Sequence, residues 1–507
     1  MNFAETSPKD FPIHLIGSEV SLLLNKVSNI LAEQGVQSYI VGGIVRDVLL
    51  GRDTADIDIA VASDALEVAP RVAEALGGKY VLLDKENGVG RVVLLSEGAP
   101  SAKGQWELDF STFSGSIEQD LARRDFTINA MAVDLGHVAE GFSVAQLIDP
   151  FGGWDDLHQG VIRAVAETVF ESDTARLLRA VRLAAELGFS IDRETEALIK
   201  HYSYLVTSIA GERVREELLR LMAIPGAGFL FYLDELGLLT AVFPELATAK
   251  GVEQPKEHFW NVFEHSLNTV TAVDFLLRRG TCDYAGEEVL SSVPWSPALV
   301  QHFDQEVSSG STRRLLLKLA AFLHDVAKPQ TKAIDNDGRI RFLGHATEGA
   351  TIAVNIMEIL RFSAREIKLV ETIIRHHLRP GQMSQGGLPT QRAIYRYFRD
   401  TGEAGIDTLF LNLADHLATR GPRLDLPRWL EHVHVVEYVL SQRFEQENIA
   451  RPPKLVDGHD IISIFGINPG PEVGEILEAV HEAQAIGEVI TREQALAYIR
   501  DLLTKTE

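Results

Sequence analysis

Apolar and polar residues alternate with two different periods in the first third of the chain. Apolar residues recur every three or four positions over 18–34 and from Ala65 to Leu76, which predicts two amphipathic helices. Shorter apolar runs of strand length lie between and after them. These predicted strands are Ser38 to Val41, Ile57 to Val61, Tyr80 to Leu83, Arg91 to Leu95 and Glu107 to Phe110. The pattern indicates an α+β domain over residues 18–165.

The rest of the chain has the helical period almost throughout. It runs from Phe170 to about Thr248 and includes a helix that we expect to end at Gly188. The segment from Cys282 to Ser309, which contains Pro294 and Pro297, is predicted as an insertion or loop. Helices are then predicted from Arg313 to about Glu445, a break at Pro452-Pro453, and a last helical segment from Pro471 to Thr504.

Length and composition limit the classes of protein that the chain can belong to. A chain of 507 residues is too long for one core, so two to four domains are expected. The net charge of −24 argues against broad, non-specific binding to nucleic acid, although a local basic groove stays open. The single Cys282 excludes an internal disulfide and a cysteine zinc cluster. We see neither a signal peptide nor an apolar run long enough for a bilayer, which predicts a cytoplasmic protein without a membrane partner.

The first candidate chemistry is an Asp-Ile-Asp sequence in the second predicted strand. Residues two apart on a strand share a face, so Asp56 and Asp58 point at one spot, where Mg²⁺ is the usual cation for close carboxylates. The upstream glycines Gly42 and Gly43 allow close approach of an anion, and Arg46 adds a planar fork of donors. Triphosphate chemistry is indicated, with an ordinary solvated strand end as the alternative.

Two later segments could extend this site. Asp109 in WELDFSTF is a candidate third carboxylate, either as a metal ligand or as a base on a hydroxyl nucleophile. In LARRDFTINAMAVD, Arg124 could bind phosphates, while Asp125 and Asn129 could bind ribose hydroxyls. The alternatives are a solvated strand acid and a capped surface helix.

A third segment could recognise a nucleobase. On a helix Asp173 and Arg176 are neighbours at i, i+3, and Arg179 continues their face. The carboxylate would accept hydrogen bonds from the base edge and the guanidinium would donate to it. The alternative is an exposed salt bridge.

These motifs, taken together and in this order, resemble those of class II tRNA nucleotidyltransferases and the similar bacterial poly(A) polymerases. They are GGIVRD, DID, RRDFTINAMA, DPFGG..DL..GVIR and a D..R..R..R helix that ends at Arg182. The resemblance implies a polymerase β-like nucleotidyltransferase palm in which Asp56 and Asp58 hold two metal ions. It implies contacts to the incoming nucleotide from Gly43, Arg46 and Arg124, and recognition of CTP or ATP by Asp173, Arg176 and Arg179. Arg182, the last arginine of this helix motif, is a further candidate for nucleotide binding. The expected reaction is attack of an RNA 3′-hydroxyl on the α-phosphate.

Two departures from the family pattern bear on specificity. The usual Glu-Asp pair that opens the base-reading motif is Ser172-Asp173 here. Only ten residues separate Asp109 from Asp120, where many members carry a longer loop associated with the switch from adding C to adding A. Full CCA addition, CC-only addition and poly(A) synthesis therefore stay open.

A second set of candidate metal ligands follows in the helical region. Imidazole and carboxylate groups from separate helices can hold one or two divalent transition metals. The set, which with the sequence LHDVAKP resembles an HD domain, is His265, His324, Asp325, His345, His376, His377 and Asp415. The resemblance implies core ligands at His265, His324, Asp325 and Asp415, and a second metal or a phosphate at His345, His376 and His377. Such domains often hydrolyse phosphoesters, but a retained, inactive HD fold is the alternative.

The resemblance also implies the domain order and the partners. The domains are a head over 18–165, a helical neck over 166–250, an HD domain over 258–425 and a tail over 450–507 that helps to grip tRNA. The expected partners are CTP, ATP and the 3′ end of tRNA or another RNA. A phosphohydrolase with a regulatory nucleotide-binding head is the alternative, which the intact pair of Asp56 and Asp58 disfavours.

Overall fold

The computed structural model describes residues 18–52, 54–95, 104–138, 146–308, 310–384, 387–448 and 454–504. The described residues form two compact units. The first unit comprises those up to Ile209 together with Leu236–Leu238. The second unit comprises Ala210–Glu235 and the described residues from Leu239 onward.

A six-stranded sheet is the centre of the first unit. Its strand order is β3-β4-β5-β2-β1-β6, and β2 and β5 are parallel while the other neighbours are antiparallel. The strands are β1 Ser38–Val41, β2 Asp56–Val61, β3 Lys79–Asp84, β4 Val89–Leu95, β5 Gln105–Thr112 and β6 Ala132–Asp134. The five strands predicted from the sequence are all present, most of them a residue or two longer. The α+β fold of the head is therefore confirmed.

The two faces of this sheet have opposite character. In β5 the side chains of Trp106, Leu108 and Phe110 are buried, whereas Glu107 and Asp109 between them are only partly buried. Helix α3, Ala65–Leu76, packs on β3, β4 and β5 with its own apolar stripe. The strand period of two therefore places the acidic residues of β5 together on one face.

The remaining helices of the first unit flank the sheet and follow it. They are α1 Ser18–Glu33, α2 Gly43–Leu49, α4 Ile117–Leu121, α5 Leu135–Val138, α6 Gly153–Gln159, α7 Val169–Ser172, α8 Arg176–Leu187 and α9 Arg193–Tyr202. Two short strands, β7 Val161–Ile162 and β8 Ser190–Ile191, pair in parallel. As predicted, α8 ends at Gly188, which has a left-handed conformation with φ of 72°.

The second unit is almost entirely helical. Its helices are α10 Gly211–Met222, α11 Gly228–Glu235, α12 Leu239–Val242, α13 Pro244–Ala247, α14 Val262–Leu276, α15 Glu287–Ser292, α16 Pro297–Asp304, α17 Arg313–Leu323, α18 Lys328–Thr331, α19 His345–Ile359, α20 Ala364–His376, α21 Arg379–Met383, α22 Gln391–Thr401, α23 Gly405–Arg420, α24 Leu426–Asn448, α25 Gly458–Phe465, α26 Pro471–Ala485 and α27 Arg492–Thr504. Two hairpins interrupt them, β9 Glu306–Ser308 with β10 Ser311–Thr312, and β11 Lys332–Ile334 with β12 Ile340–Phe342. None of the described helices is long and apolar enough to cross a membrane.

The prediction of a loop from Cys282 to Ser309 is wrong. This segment contains α15, α16 and β9. Pro297 stands at the start of α16, and the Ser296 hydroxyl accepts a hydrogen bond from the backbone N–H of Leu299 at 3.4 Å. Proline at the first position of a capped helix starts the helix instead of breaking it. The predicted break at Pro452-Pro453 lies outside the described residues.

Candidate functional site

The sheet brings three of the predicted carboxylates together. In the parallel pair of β2 and β5, Asp58 lies opposite Asp109, and Asp56 lies opposite Glu107. Burial, reinforced by the carboxylates of Asp109 and Asp56, raises the pKa of Asp58 to about 6. A cation among these oxygens would stabilise the charged carboxylates against both burial and mutual repulsion, so the row suits a hard divalent metal.

Gly42 lies against this row. Its φ is 78°, and a Cβ atom on it would lie 2.8 Å from Oδ2 of Asp58 and 2.8 Å from Nη1 of Arg124. A side chain would therefore collide with two site residues and would require a strained backbone. Gly43 is the first residue of α2, which carries Arg46 three positions later.

A chain of hydrogen bonds connects Arg46 to Arg179. Nη1 of Arg46 donates to Oδ1 of Asn129 at 2.7 Å, and the Asn129 amide donates to Oδ1 of Asp125 at 3.0 Å. Nη1 of Arg179 is 3.2 Å from Oδ2 of Asp125. Burial opposes the charge on Asp125, yet Arg179 and Asn129 hold its pKa below the usual range. Asp125 and Asn129, predicted to bind ribose, are both buried and bind protein groups here.

Asp173 and Arg176 lie close together but not on one helix. Asp173 is extended and precedes α8, and its Oδ1 accepts a hydrogen bond from the backbone N–H of Ala175 at 3.1 Å. Nε of Arg176 lies 3.8 Å from Oδ2 of Asp173, and Nη2 of Arg176 donates to the carbonyl of Arg123 at 3.0 Å. The prediction of a helical i, i+3 pair is wrong, because an Asp side chain commonly turns the backbone ahead of a helix. The two charged groups nevertheless stay neighbours.

Arg182 differs from the other two arginines of α8. It is buried, and its Nη1 donates to Oε2 of Glu186, one helical turn later, at 2.6 Å. The guanidinium of Arg182 is therefore not accessible in this conformation for its predicted contact with nucleotide.

The second unit gathers six of the predicted metal ligands from five different places in the chain. Their ligand atoms fall into three overlapping groups, each with all atoms within 4.8 Å of one another: His265, His324 and Asp325; His324, His377 and Asp415; and Asp325, His345 and His377. Nε2 of His265 lies 3.1 Å from Oδ1 of Asp415. Nε2 of His324 lies 3.2 Å from Oδ2 of Asp325. We call these six residues the histidine-aspartate cluster.

Three of the imidazoles are oriented by the backbone. Nδ1 lies within hydrogen-bond distance of the carbonyl three residues earlier, at 2.8 Å for His324, 2.6 Å for His345 and 2.6 Å for His377. This contact fixes the tautomer and leaves Nε2 directed into the cluster.

The cluster suits a divalent metal. Among the described residues, Oδ1 of buried Asp325 and Nε2 of His345 have no hydrogen-bond partner, although they lie 3.5 Å apart. Unsatisfied buried acceptors that converge in this way are the donor set of a divalent transition metal. Burial opposes the charge of Asp325, but His324 and Lys328 hold its pKa well below the usual range.

His376 lies outside the groups of close ligand atoms, although it was predicted with them. It is half-buried, and the charged groups around it are Arg379, Asp400, Arg375 and Lys368. Consecutive residues at the end of a helix point about 100° apart, so only one of the two histidines can face the cluster.

Family profiles match most of the chain. The Poly A polymerase head domain matches residues 38–163, and the RNA and SrmB-binding site of polymerase A matches residues 188–250. The HD domain matches residues 262–420, and tRNA nucleotidyltransferase domain 2 matches residues 424–499.

Full-length relatives decide the family. The chain is 35% identical over 470 residues to the CC-adding tRNA nucleotidyltransferase of Thermus thermophilus, with 91% of this chain and 93% of the relative covered. It is 33% identical over 468 residues to the A-adding tRNA nucleotidyltransferase of Deinococcus radiodurans, covering 91% and 94%. The chain belongs to the tRNA nucleotidyltransferases.

Solved structures of this family share the fold. A CCA-adding enzyme in complex with ATP has a TM-score of 0.63 at 22% identity, covering 98% of this chain and 97% of the other. The Thermotoga maritima CCA-adding enzyme complexed with tRNA has a TM-score of 0.58 at 23% identity, covering 97% of both chains.

The structure adds partners that the sequence motifs of this tRNA nucleotidyltransferase did not suggest. Arg91 forms a bidentate pair with Asp109. Nζ of Lys328, the first residue of α18, lies 2.6 Å from Oδ2 of Asp325, three residues earlier. The opposite charges three residues apart in HDVAK could have indicated Lys328. Arg91 required the strand register, which pairs it with Asp109.

Residues of the motif DPFGG..DL..GVIR make contacts within the protein that stabilise the fold. Oδ1 of Asp149 accepts a hydrogen bond from the backbone N–H of Gly153 at 2.8 Å, and this contact secures the start of α6. Arg163 pairs with Asp156 at 3.1 Å and with Asp192 at 2.9 Å. These contacts tie α6 to the residues that precede α9.

Proposed function

We propose that this tRNA nucleotidyltransferase adds CMP to the 3′ end of tRNA and stops after the second C. The observation that carries the transfer reaction is the row of Asp56, Asp58 and Asp109 on one face of the sheet, next to Gly42. In the reaction the terminal hydroxyl of tRNA forms a bond to the α-phosphorus of CTP while the bond to pyrophosphate breaks.

The residues of the head divide the work of this reaction. Asp56 and Asp58 would hold Mg²⁺, with Asp109 beside them, and the bound metal would acidify the hydroxyl and balance charge on the leaving group. Arg124, beside Asp58, would donate to the triphosphate, and the bare backbone of Gly42 would let the phosphates approach.

The base would be recognised by Asp173, which precedes α8, and Arg176, the first residue of α8. Cytosine presents an amino donor beside two acceptors, so the Asp173 carboxylate would accept from the amino group and Arg176 would donate to the acceptors. Arg176 is held for this role by Asp173 and by the Arg123 carbonyl. Arg179, fixed by Asp125, would support this arrangement.

The limit at CC rests on the connection after β5. Residues 113–116 alone join β5 to α4, and Phe113 among them is buried. This leaves little room for the longer loop associated with the switch to ATP. The CC-adding relative from Thermus thermophilus and the A-adding relative from Deinococcus radiodurans match the chain about equally, so the choice of CC addition rests on this short connection.

The test is extension of defined tRNA ends. Purified protein with Mg²⁺ receives tRNAs that end before CCA, after C, or after CC, with CTP and ATP singly and together. Extension from the first two substrates to CC, and none of the third by ATP, is expected. AMP addition to the CC end would overturn the CC limit, and long A tails on unrelated RNA would replace tRNA repair by poly(A) synthesis.

The histidine-aspartate cluster supports phosphoester hydrolysis as a second activity. The supporting observation is the convergence of unsatisfied buried ligand atoms of Asp325 and His345. The test uses bis(p-nitrophenyl) phosphate with Mn²⁺, Co²⁺ or Ni²⁺. Metal-dependent release of nitrophenol that is lost in His324→Ala is expected, and equal release by both proteins would reject the cluster as its source.

A further inference from the structure

The face of the sheet that carries the transfer site has one more acidic residue than the site requires. Two carboxylates of β2 and two of β5 share it, and they are Asp56, Asp58, Glu107 and Asp109. Four like charges on neighbouring strands repel each other strongly. A positively charged neighbour that binds some of these carboxylates would determine which of them face a bound cation.

Arg91 in β4 meets the two acids of β5. It lies directly opposite Asp109 in the antiparallel pair of β4 and β5. Its Nε donates to Oδ1 of Asp109 at 2.7 Å and its Nη2 donates to Oδ2 at 2.8 Å, while Nη1 donates to Glu107. One guanidinium therefore occupies both oxygens of Asp109 and one oxygen of Glu107. The side chain is 28% exposed, so solvent screens this contact only in part.

We propose that Arg91 is a positioning residue for nucleotide transfer, which fixes Asp109 beside Asp58 and holds Glu107 away from the metal ligands. The proposal rests on the proposed transfer function, because Asp56 and Asp58 are taken as the metal ligands. Arg91 itself touches neither substrate nor the reacting atoms.

Arg91 acts in two separable ways. Its planar fork restricts the rotamer of Asp109, which a point charge cannot do. Its positive charge also offsets part of the negative charge of the row and so weakens the attraction of the row for a divalent cation. Loss of the side chain therefore has opposite effects on the binding of metal and on the rate of transfer.

The experiment compares Arg91→Gln, Arg91→Lys and the unaltered full-length protein. Mn²⁺ binding is titrated by electron paramagnetic resonance. The part of the binding that is absent from an Asp56→Ala/Asp58→Ala variant is assigned to the site in the head. Arg91→Gln should bind Mn²⁺ about fivefold more tightly, because one positive charge has gone. Its kcat should fall at least tenfold, with KM for CTP within about twofold, because the third carboxylate is misplaced by a small distance.

Arg91→Lys separates charge from geometry. It keeps the positive charge, so Mn²⁺ affinity should stay within about twofold of the unaltered protein, while kcat falls about tenfold without the fork. Arg71→Gln is the matched control, since Arg71 is an exposed arginine of the same unit and its ion pair with Glu67 lies on α3. Both Mn²⁺ affinity and kcat should be unchanged in this control.

Two results would overturn the proposal. One is an unchanged kcat in Arg91→Lys together with an unchanged kcat in Arg91→Gln. The other is weaker Mn²⁺ binding in Arg91→Gln, which would mean that loss of Arg91 only disorders the sheet. If Arg91→Gln does not fold, as judged by circular dichroism, the kcat of Arg91→Lys decides alone. Persistence of transfer in the Asp56→Ala/Asp58→Ala variant would instead reject Asp56 and Asp58 as the metal ligands of the transfer site. Loss of transfer in that variant, together with unchanged kcat in both Arg91 variants, would reject the role of Arg91 alone.

Discussion

Nη1 of Arg46 donates a 2.7 Å hydrogen bond to the side-chain oxygen of Asn129, although 83 positions separate the two residues. The same Asn129 binds Asp125, and Asp125 pairs with Arg179 at the start of α8. Three motifs that are distant in the sequence therefore form one hydrogen-bonded network. A change at its centre should reach both the phosphate side and the base side of the site.

Asp125→Asn should disrupt this network at its buried centre. The variant removes the charge that faces Arg179 and places an amide donor in a position that accepts three hydrogen bonds. We expect a loss of about 1–3 kcal/mol in the free energy of unfolding and a KM for CTP that rises at least fivefold. Urea unfolding and steady-state kinetics measure the two effects. Glu74→Gln, an exposed change on α3, is the control. An unchanged KM in Asp125→Asn would show that Arg179 does not depend on this contact.

Gly42→Ala should inactivate the head more than its backbone cost explains. The added Cβ would stand 2.8 Å from both Asp58 and Arg124, and the backbone of Gly42, with φ of 78° and ψ of −139°, is close to a region that is essentially restricted to glycine, which costs about 1–3 kcal/mol in addition. Gly35→Ala is a matched control, because Gly35 has a similar φ of 66° and open space around its Cα. Both variants should lose stability in thermal unfolding, Gly42→Ala the more because of its two close contacts, but kcat/KM should fall at least tenfold only in Gly42→Ala. Equal kinetics in the two variants would mean that Gly42 has no role beyond its turn.

The residues that the sequence could predict are those whose position follows from a local period. Asp56 and Asp58 share a face because strands repeat every two residues, and α8 ends at Gly188 because glycine accepts a left-handed φ. Which strand pairs with β2, and so which residue lies opposite Asp58, is decided by tertiary structure and not by a local period. The same holds for the pairing of β4 with β5, so the contact of Arg91 with Asp109 could not be predicted from the sequence.

Burial is the second quantity that local patterns do not report. Asp125 carries a carboxylate of the kind that binds ribose hydroxyls. Packing of α8 against its segment buries it, however, and places Arg179 within ion-pair distance. His376 and His377 are adjacent in sequence, and only the packing of α20 decides which of them faces the cluster.

A buried ion pair in the second unit should control its stability. Nζ of Lys318 lies 2.7 Å from Oδ2 of Asp274, and both side chains are almost fully buried. Lys318→Met leaves the Asp274 charge without its partner and should cost about 3–5 kcal/mol in urea unfolding. Lys318→Met combined with Asp274→Leu should recover most of that loss, because neither charge is then buried. Lys368→Met, on the exposed side of α20, should be neutral. A double variant as unstable as the single one would contradict this account.

The adjacent histidines at the end of α20 provide a test of the metal cluster, with His377 as the proposed ligand and His376 as the control. Nε2 of His377 is grouped with ligand atoms of His324 and Asp415, whereas His376 lies among Arg379 and Asp400. His377→Ala should lower the affinity of the second unit for Mn²⁺ or Co²⁺ at least tenfold, since a ligand atom is removed from a buried set. His376→Ala should leave that affinity within about twofold, and both variants should retain nucleotide transfer. Isothermal titration of protein stripped with a chelator measures the affinity. The assignment fails if the two variants bind metal equally.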